Sequence, residues 1–438
     1  MKYYIKTYGC QMNVNDSEVI SGLLEEAGYA PAETPEDAGV ILINTCCVRQ
    51  SAEDRAMGYA LSLISLKMRA PGKIFGICGC IAEKDKEKLI KKLPFFDLVV
   101  GPGQEGRIVQ LIEGIRSNKE KVISTGDFCG GNPFRSARRK ISPQAYVTIM
   151  TGCDNFCSYC VVPYVRGREI SRPAEDIINE IKELDKSIYK EVVLLGQNVN
   201  SYKIEELEER EELDEREVKR DGFVKLLEKV DGIEGLERFR FFTSHPRDMS
   251  DLIINAVNDL PKACEFFHIP LQSGDDDILK AMNRGYTADH FRSLVGRIRD
   301  KIPEATITSD VITGFPGESE RQFENTLELI RELELDLINT FSYSIRPGTK
   351  AAQLPEQLLD NIKSERLQRL MTTVENAALK RNQKLVGSTQ EVLIDSKFGG
   401  RTRGNKQIKV AGEHRVGDIL YVRVNKASSW GLEGVMVS

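Results

Sequence analysis

Three cysteines in the middle of the chain have the spacing of a metal-binding loop. They are Cys153, Cys157 and Cys160, while the other seven of the ten cysteines are spread over other segments. A structural zinc site usually has four protein ligands, and no second cysteine pair or nearby histidine completes one, the nearest being His245. Because iron–sulfur clusters are held by cysteine thiolates, the spacing favours an iron–sulfur cluster over zinc or three incidental thiols.

An iron–sulfur cube with three protein ligands has one iron left open. S-adenosylmethionine can bind that iron through its amino and carboxylate groups, which places its sulfonium near the cluster for one-electron cleavage. The cysteine loop follows a predicted strand that ends at Met150, and a motif in its expected structural context is a stronger signal than the motif alone. The three cysteines therefore predict a radical enzyme in which they hold a 4Fe-4S cluster and take part in catalysis.

The region that carries this loop, residues 139–370, alternates predicted strands with helical stretches about six times. A polar or glycine-rich turn follows each strand, and in a parallel barrel the active site lies at the carboxyl ends of the strands. Six units are fewer than the eight of a full barrel, so we expect an open, partial (β/α)6 barrel. The predicted strands span residues 145–150, 191–195, 238–242, 266–270, 305–311 and 337–341.

The first part of the chain, residues 1–118, also alternates strand and helix signals. This pattern predicts an open parallel α/β sheet that is wound on both faces. A helix over residues 16–27 is expected to begin at Asn15 or Asp16 as its N-cap. The predicted strands span residues 2–8, 40–44, 73–77 and 98–100.

Three further cysteines, Cys10, Cys46 and Cys80, follow the first three of these strands. Free cysteines are commonly buried structural thiols, but these three lie beside Gly, Asn or Thr rather than inside apolar runs. Because the carboxyl ends of parallel strands meet at a crevice, the three side chains can converge from distant parts of the sequence. We therefore predict a second three-cysteine cluster with an open iron.

The C-terminal part begins after a long predicted helix over residues 356–384, and residues 378–438 read as a small β-barrel with Trp430 in its core. This part has eleven Lys and Arg against five Asp and Glu, although the whole chain has a net charge of −5. An acidic segment, residues 203–221, has ten acidic and five basic residues and is expected to be a solvated helix or a mobile insertion.

Length and composition predict a protein of two or three domains, since 438 residues are long for one. The sequence contains no apolar run of about 18 residues, the length needed to span a membrane. Its N-terminus has no targeting pattern. We therefore expect a cytoplasmic protein, in which thiols stay reduced and act as ligands before they form disulfides.

The cysteine loop at 153–160, placed after the first barrel strand, resembles that of the radical S-adenosylmethionine superfamily. Gly196, Gln197 and Asn198 resemble its second-strand motif, which receives the methionine amino group, and residues 309–318 resemble the fifth-strand motif beside the adenine. The resemblance implies S-adenosylmethionine as cofactor, with Asp310 and Gly314 among its contacts. The polar turns after the third and fourth strands add Ser244 and Gln272 to these candidates.

The sequence around the N-terminal cysteines is similar to the methylthiotransferase family over essentially the whole chain, including a C-terminal TRAM domain. The similar segments are residues 8–18, 44–49 and 79–82. The resemblance implies that Cys10, Cys46 and Cys80 hold the second 4Fe-4S cluster. Cys47 and Cys78 depart from the family pattern, and either could be a ligand instead. We prefer Cys46 and Cys80 because they occupy the family's Asn-Thr-Cys and Gly-Cys positions.

Within the family, Gln11-Met12 and residues 167–172 resemble the MiaB type. Those enzymes add a methylthio group to carbon 2 of N6-dimethylallyl adenosine next to the anticodon of tRNA. Two other types of the family are our alternatives. The type acting on a ribosomal-protein aspartate usually has Pro-Lys after the first cysteine, and the type acting on threonylcarbamoyl adenosine usually has Lys-Val there. A non-catalytic RNA-binding protein with a structural metal site is a third hypothesis.

The resemblance also implies a division of labour and a set of partners. The first cluster and S-adenosylmethionine would generate a radical at carbon 2 of the adenine, and the second cluster would supply the methylthio group. An electron donor such as flavodoxin or ferredoxin and a sulfur donor would be needed. We assign no catalytic role to the histidines and expect Cys129 and Cys264 to be incidental thiols.

RNA binding requires basic side chains that contact phosphates. We predict such contacts in two places, and for the C-terminal barrel as a whole we favour RNA binding over a merely solubilising surface charge. The candidates are Arg401, Arg403, Lys406 and Lys409 in the barrel, and Arg135, Arg138, Arg139 and Lys140 before the first barrel strand.

Overall fold

The structure is a computed structural model that describes residues 1–126, 138–139, 142–204 and 215–437, with the side chains of 215–220 left aside. The chain forms two compact units, which we call the N-terminal unit and the C-terminal unit. The N-terminal unit consists of Met1–Lys140, Thr151–Asp154 and Cys160–Ile170, and the C-terminal unit of Ile141–Met150, Asn155–Tyr159 and Ser171–Ser438. The three domain boundaries that we expect from the sequence stay a prediction.

The N-terminal unit contains a six-stranded sheet in the order β2-β1-β3-β4-β5-β6, with every neighbouring pair parallel. The predicted open parallel sheet is therefore confirmed. The two central strands, β3 and β4, are buried along their whole length, which explains their continuous apolar sequence. The strands are β1 (Lys2–Tyr8), β2 (Ala30–Pro31), β3 (Val40–Thr45), β4 (Ile74–Gly79), β5 (Leu98–Val100) and β6 (Val122–Ser124).

Helices cover both faces of this sheet. One apolar cluster contains Ile41 and Phe75, and a second contains their strand neighbours Leu42 and Ile74, so alternate side chains enter different layers. The helices of this unit are Gln11–Glu26, Gln50–Ser62, Ile64–Arg69, Cys80–Asp85, Glu87–Lys92, Ile108–Asn118 and Val162–Val165, with a 3-10 turn at Glu105–Arg107.

The first helix begins earlier than the sequence predicts. Its N-cap is Cys10, so the expected caps Asn15 and Asp16 lie inside the helix. The backbone N–H of Cys10 donates to Asn13 Oδ1 at 3.3 Å, a capping contact. The sequence misses this turn because it buries polar side chains, including Asn13 and Asn15, and so shows no apolar period.

The C-terminal unit contains six parallel strands in two sheets, in the orders β7-β10-β11 and β12-β13-β14. A hydrogen bond from Cys264 N to Phe239 O, 2.8 Å long, links the two sheets between β11 and β12. The predicted partial barrel is confirmed. Its strands are β7 (Gln144–Thr148), β10 (Glu191–Leu195), β11 (Arg238–Phe241), β12 (Phe266–His268), β13 (Thr306–Thr313) and β14 (Leu337–Ser342), and β8 (Met150–Thr151) pairs with β9 (Ile170–Ser171).

Helices follow the barrel strands and cover them on the outside, where their apolar faces pack against residues such as Val147, Phe239 and Ile307. Amphipathic periodicity explains why the sequence shows these helices clearly. They are Ala174–Glu183, Glu215–Asp231, Asp251–Asp259, Asp276–Ala281, Ala288–Lys301, Glu320–Leu333 and Asp360–Gln383, with 3-10 turns at Val199–Ser201, Pro246–Asp248 and Ala351–Gln353.

A closed five-stranded barrel in the order β15-β16-β17-β19-β18 ends the chain, as predicted. The prediction for Trp430 is wrong: its side chain is 58% exposed in the turn before the last strand. Seven buried residues, six of them Val or Ile and one Leu, already fill the interior. The strands are β15 (Thr389–Ser396), β16 (Gly399–Thr402), β17 (Gln407–Ala411), β18 (Ile419–Ser428) and β19 (Gly431–Met436).

Some expectations concern residues outside the described ranges. These are Cys129, Arg135, Lys140 and most of the acidic segment 203–221. Among the helices that are described, none combines the length and the apolar character that a membrane crossing requires.

Candidate functional site

Four cysteine thiols lie together at the carboxyl ends of adjacent strands in the N-terminal unit. Cys10 follows β1, Cys46 and Cys47 follow β3, and Cys80 follows β4. The thiol of Cys46 lies next to that of Cys10, and the thiol of Cys47 lies next to that of Cys80. The structure thus brings together the three cysteines that the sequence singles out and adds Cys47 to them.

Two glycines allow the strand ends to approach closely. A Cβ on Gly9, which has φ +155°, would lie 2.7 Å from Cys46 Cβ. A Cβ on Gly79, which has φ +87°, would lie 2.5 Å from Thr45 O. Any larger residue at either position would push the cysteine-bearing turns apart, which gives a physical reason for Gly-Cys at both.

A buried amide network fixes the same turns. Asn44 Nδ2 donates to Asn13 O at 2.9 Å and to Ser17 Oγ at 2.9 Å. Asn13 Nδ2 donates in turn to Thr45 O at 3.1 Å. Because buried hydrogen bonds of this kind hold a single geometry, the polar residues around the cysteines position the thiols.

The thiols differ in their tendency to ionise. The side chain of Cys46 lowers the pKa of the solvent-exposed Cys10 thiol to about 6, and the nearby Arg166 guanidinium adds to the effect. The side chain of Cys47 likewise lowers the pKa of Cys80 to about 7. Cys46 and Cys47 themselves have raised pKa values, because the neighbouring thiol and burial both favour the protonated form. Thiolates, the form that binds metal, are thus favoured at Cys10 and Cys80.

Arg166 supplies the positive charge of this site, and the sequence gives no reason to select it. Its guanidinium is only 7% exposed and donates from Nη2 to Asp16 Oδ2 at 2.6 Å. It lies directly before the segment 167–172 that resembles the MiaB type, which is the one signal that could have indicated it.

Cys78 does not join the four thiols. Its side chain packs in the apolar cluster on the other face of β4, beside Val100 and Ile108, and burial raises its pKa. Cys78 is still in the strand, whereas Cys80 begins the next helix and so points elsewhere. This placement favours Cys80 as the ligand, and the assignment stays a prediction. The alternative for Cys47 stays open.

No three His, Cys, Asp or Glu side chains in the described ranges form a ready-made site for a single metal ion. The N-terminal thiols instead contact one another in two pairs. The donor set is nevertheless all sulfur, which is the chemistry that iron–sulfur clusters require.

Part of the central cysteine loop belongs to the N-terminal unit. Gly152, which has φ +78°, has no room for a Cβ, since one would lie 1.9 Å from Arg168 O. Cys153 N donates to Gly167 O at 3.3 Å, and Cys160 Sγ accepts from Val162 N at 3.4 Å. The backbone of Gly167 and Arg168 therefore supports the turn that begins the loop.

Cys157 belongs to the C-terminal unit and is 8% exposed. Its Sγ accepts a hydrogen bond from Arg284 Nη1 at 3.1 Å. Since the loop passes between the two units, the joint binding of one cluster by Cys153, Cys157 and Cys160 stays a prediction.

Unpaired polar atoms gather in the turns after the barrel strands. Among the described residues, Gln197 Oε1, Asn198 Oδ1, Ser244 Oγ and Gln272 Oε1 are buried without a hydrogen-bond partner. Buried polar atoms are normally paired, so such atoms mark a place for a polar ligand. All four are predicted cofactor contacts, and the amino, carboxylate and ribose groups of S-adenosylmethionine could pair with them.

The remaining predicted cofactor contacts have partners inside the barrel. A Cβ on Gly196 would lie 2.4 Å from Met150 Cγ, so only glycine fits at this turn. Asp310 Oδ1 accepts from Asn339 Nδ2 at 2.9 Å. Gly314 N donates to Glu318 Oε2 at 2.8 Å. The backbone geometry of these turns is therefore explained, and their contact with a cofactor stays a prediction.

Models of two protein families match the chain. Residues 2–101 match an uncharacterized protein family, UPF0004, and residues 147–330 match the radical SAM superfamily. These ranges contain five of the six strands of the N-terminal sheet, with the four thiols, and most of the six-stranded barrel with its cysteine loop.

Full-length relatives decide the family. The tRNA-2-methylthio-N(6)-dimethylallyladenosine synthase of Desulforamulus reducens is 42% identical, with 99% of this chain and 95% of that protein aligned. The protein of the same name from Caldicellulosiruptor saccharolyticus is 45% identical, with 99% and 92% aligned. The chain belongs to this synthase family. It is therefore an enzyme, with the 4Fe-4S cluster and S-adenosylmethionine that the radical SAM superfamily implies.

Solved structures support the fold of this family member. A radical S-adenosylmethionine methyltransferase, TsrM from Kitasatospora setae, superimposes with a TM-score of 0.59 over 80% of this chain and 74% of that one. The cobalamin-dependent radical enzyme OxsB gives a TM-score of 0.56 over 85% and 56%. Their sequence identities are 13% and 10%, so the likeness concerns the fold alone.

Several basic residues predicted to contact RNA have structural partners within the chain. Arg403 pairs with Glu265 at 2.8 Å, Lys406 with Asp336 at 2.8 Å and Arg401 with Asp395 at 3.2 Å. Arg403 and Lys406 are thus held against the large barrel rather than offered to phosphates.

Two other basic side chains of the small barrel, Lys409 and Arg423, are exposed. Before the first barrel strand, Arg138 pairs with Glu25 at 3.0 Å, and it is 69% exposed. Lys409 and Arg138 stay predicted RNA contacts, and Arg423 is a candidate that the sequence gave no reason to select.

Proposed function

We propose that the protein transfers a methylthio group to carbon 2 of N6-dimethylallyl adenosine next to the anticodon of tRNA, using two 4Fe-4S clusters and S-adenosylmethionine. One observation carries the proposal: Cys10, Cys46 and Cys80 converge at one edge of a parallel sheet in a chain that also has the radical SAM barrel. The second thiol site distinguishes sulfur transfer from other radical chemistry.

The N-terminal thiols would hold the second cluster. Arg166 favours ionised thiols at Cys10 and Cys80, and Gly9 and Gly79 allow the three strand ends to approach. Burial of Cys46 and Cys80 excludes water from the sulfur atoms. Cys153, Cys157 and Cys160 would hold the first cluster, which when bound supplies one electron for the cleavage of S-adenosylmethionine.

The barrel residues would bind and orient the cofactor. Gln197, Asn198, Ser244 and Gln272 offer buried polar atoms to its polar groups. Asn198 is itself held by Asp248, to which its Nδ2 donates at 3.3 Å. Orientation of a bound reactant by fixed hydrogen bonds is a large part of what an enzyme contributes to rate.

The partners follow from the same proposal. The tRNA must present its adenine out of the base stack, and Lys409 and Arg423 would contact its phosphates. The reaction also needs an electron donor, such as flavodoxin or ferredoxin, and a sulfur donor. All of these fit a protein that works in the cytoplasm. The alternatives, threonylcarbamoyl adenosine or a ribosomal-protein aspartate, are not favoured, since the relatives' names specify dimethylallyladenosine.

The decisive experiment is nucleoside mass spectrometry of tRNA from a strain that lacks the gene. We expect the 2-methylthio nucleoside to disappear and N6-dimethylallyl adenosine to accumulate. The wild-type gene should restore the modification, and Cys10→Ala or Cys157→Ala should not, because each removes a ligand of one cluster.

Persistence of the 2-methylthio nucleoside, with no other enzyme to make it, would contradict the proposal. The non-catalytic hypothesis is tested separately by iron analysis, since two 4Fe-4S clusters predict about eight irons per chain after anaerobic reconstitution. A colourless zinc protein that cannot cleave S-adenosylmethionine would exclude a radical enzyme.

A further inference from the structure

Arg284 is a buried cation with an unusual set of partners. Its side chain is in the C-terminal unit and only 5% of the residue is exposed. Nε donates to the Tyr286 hydroxyl at 3.1 Å, Nη1 to Cys157 Sγ at 3.1 Å and Nη2 to Pro270 O at 3.3 Å. None of these acceptors is a carboxylate, and within the described ranges Arg284 forms no ion pair with Asp or Glu.

The residues next to Arg284 hold the backbone of the loop that carries Cys157. Asn283 Nδ2 donates to Asn155 O at 3.2 Å and to Phe156 O at 3.1 Å. Ser158 N donates to Met282 O at 3.0 Å. Residues 282–284 thus contact the loop on both sides of Cys157 as well as its sulfur. We call this segment, Met282 to Arg284, the clasp.

The clasp has an imposed geometry. Asn283 has φ +58° and Gly285, the residue after the clasp, has φ +68°, in the left-handed region that Asn and Gly tolerate and that bulky residues do not. Phe156, on the opposite loop, has φ +45°. Such conformations persist only where the surrounding structure determines them, and they cluster at functional sites.

Burying a guanidinium is costly unless an anion or a full set of hydrogen bonds compensates its charge. Two of the three acceptors of Arg284 are neutral oxygens. The third, Cys157 Sγ, is a potential anion, because a cysteine that binds iron does so as a thiolate. A thiolate at Cys157 would therefore supply the negative charge that the two oxygen acceptors do not.

We propose that Arg284 is a positioning residue of the radical cluster, which holds Cys157 in place and stabilises the reduced state of a cluster bound there. The inference rests on the proposed function in one respect, since it requires Cys157 to be a cluster ligand. Hydrogen bonds to the sulfur atoms are among the features that set the reduction potential of an iron–sulfur cluster. A positive charge beside the cluster favours the added electron for the same electrostatic reason.

A purely structural role is the competing explanation. The Arg284 guanidinium also lies 5.3 Å from the ring centre of Tyr286, and it could serve only to fix the turn after the helix Asp276–Ala281. If that were its only role, replacing Arg284 would lower the stability of the protein without changing the reduction potential of the cluster. Measuring that potential therefore separates the two explanations.

The test uses the full-length chain with Cys10, Cys46 and Cys80 changed to Ala, so that one cluster remains. Reductive titration with dithionite, followed by electron paramagnetic resonance, gives its reduction potential. Arg284→Gln is expected to lower the reduced-to-oxidised ratio at a given potential about tenfold, equivalent to a shift of about 59 mV to more negative values for one electron. Arg284→Lys keeps the charge but not the fork of donors and should give a smaller shift.

Two further variants act as controls. Arg297→Gln removes an exposed guanidinium that pairs with Asp251 on the outer helices, and should leave the potential unchanged. Asn283→Ala should keep the wild-type potential but lose iron to a chelator several times faster, because it loosens the loop and not the contact with the sulfur.

A wild-type potential in Arg284→Gln with full iron content overturns the inference. If that variant keeps its circular dichroism but binds no iron, the positioning role is supported. If it does not fold, Arg284→Lys decides, and a wild-type potential there overturns the inference. Failure of the proposed function is distinguishable, since the parent protein would then show no signal from a reduced cluster at all.

Discussion

At the scale of residues, the side chains of cysteines that are close in sequence lie in different places. Cys46 and Cys47 are adjacent in sequence, and both thiols enter the N-terminal thiol group, one towards Cys10 and the other towards Cys80. Cys78 and Cys80 are two residues apart, and only Cys80 joins, because the strand ends at Gly79 and the helix begins at Cys80. The change from strand to helix thus decides which of the two sulfur atoms lies with the other thiols.

Single substitutions should separate ligand from core cysteine. Cys46→Ala should lose about half of the roughly eight irons that two 4Fe-4S clusters provide, because it removes one ligand of the second cluster. Cys78→Ala should keep its iron, because its side chain packs on the opposite face of the sheet. Iron and sulfide analysis of reconstituted protein measures both. Equal iron loss in the two variants would show that the assignment of the faces is wrong.

At the scale of elements, an ion group joins the amino ends of two barrel strands. Glu191 on β10 pairs with Arg238 and Arg240 on β11, each at 2.6 Å, and all three side chains are almost fully buried. Arg238 Nη2 also donates to Arg401 O at 3.0 Å, and Arg240 Nη1 to Arg403 O at 2.9 Å. The small barrel is therefore attached to the large one through charges that have no access to water.

Removing the carboxylate should leave the buried Arg240 without its ion-pair partner and Arg238 with Glu391 alone. Glu191→Gln is expected to lower the free energy of unfolding by about 3 to 5 kcal/mol, measured by urea unfolding of the cluster-free full-length chain at pH 7. The control is Glu332→Gln, whose exposed pair with Arg292 should contribute about 1 kcal/mol or less. A similar effect of both variants would contradict a buried ion group.

The same carboxyl group makes this stability depend on pH. Burial alone would raise the pKa of Glu191, but Arg240 and Arg238 lower it from 4.5 to about 2. A lowered pKa means that the contribution is present above pH 4.5 and is lost as the pH falls towards 2. The difference in unfolding free energy between wild type and Glu191→Gln should therefore be constant from pH 7 to about 5 and shrink below that. A difference that grows on acidification would refute this linkage.

At the scale of the whole molecule, charge is unevenly distributed. The chain has a net charge of −5, yet residues 378–438 hold eleven basic and five acidic residues. Part of that positive charge is used inside the protein, as Arg403 and Lys406 show. The charge that remains for a polyanion lies on outward-facing strand positions such as Lys409 and Arg423.

Neutralising these outward charges should weaken tRNA binding without unfolding the protein. The double variant Lys409→Gln, Arg423→Gln should lower the slope of log affinity against log salt by about 0.7 to 0.9 for each lost phosphate contact. Filter binding at several salt concentrations measures this slope. Lys301→Gln, an exposed lysine at the end of an outer barrel helix, is the control. An unchanged slope in the double variant would remove the small barrel's outer face from the RNA contact surface.

Local elements and the chemistry of the cysteine ligands could be predicted from the amino-acid sequence. The strands predicted at 2–8 and 191–195 agree with the structure. The second is buried along its whole length, and a buried strand needs a run of apolar residues that is visible in a short window of sequence. The cysteine spacings and the family resemblance likewise depend on short segments. These features depend on residues that are close in sequence, so they can be predicted without the fold.

Only the tertiary structure decided which side chains meet. Arg284 contacts Cys157 from 127 positions away in sequence, and Arg403 pairs with Glu265 from 138 positions away. No local pattern distinguishes either arginine from a solvated one, since a buried charge is selected by the partner that packing brings to it. For the same reason Trp430 is exposed although its type predicts burial: the closed barrel had already filled its interior with smaller side chains.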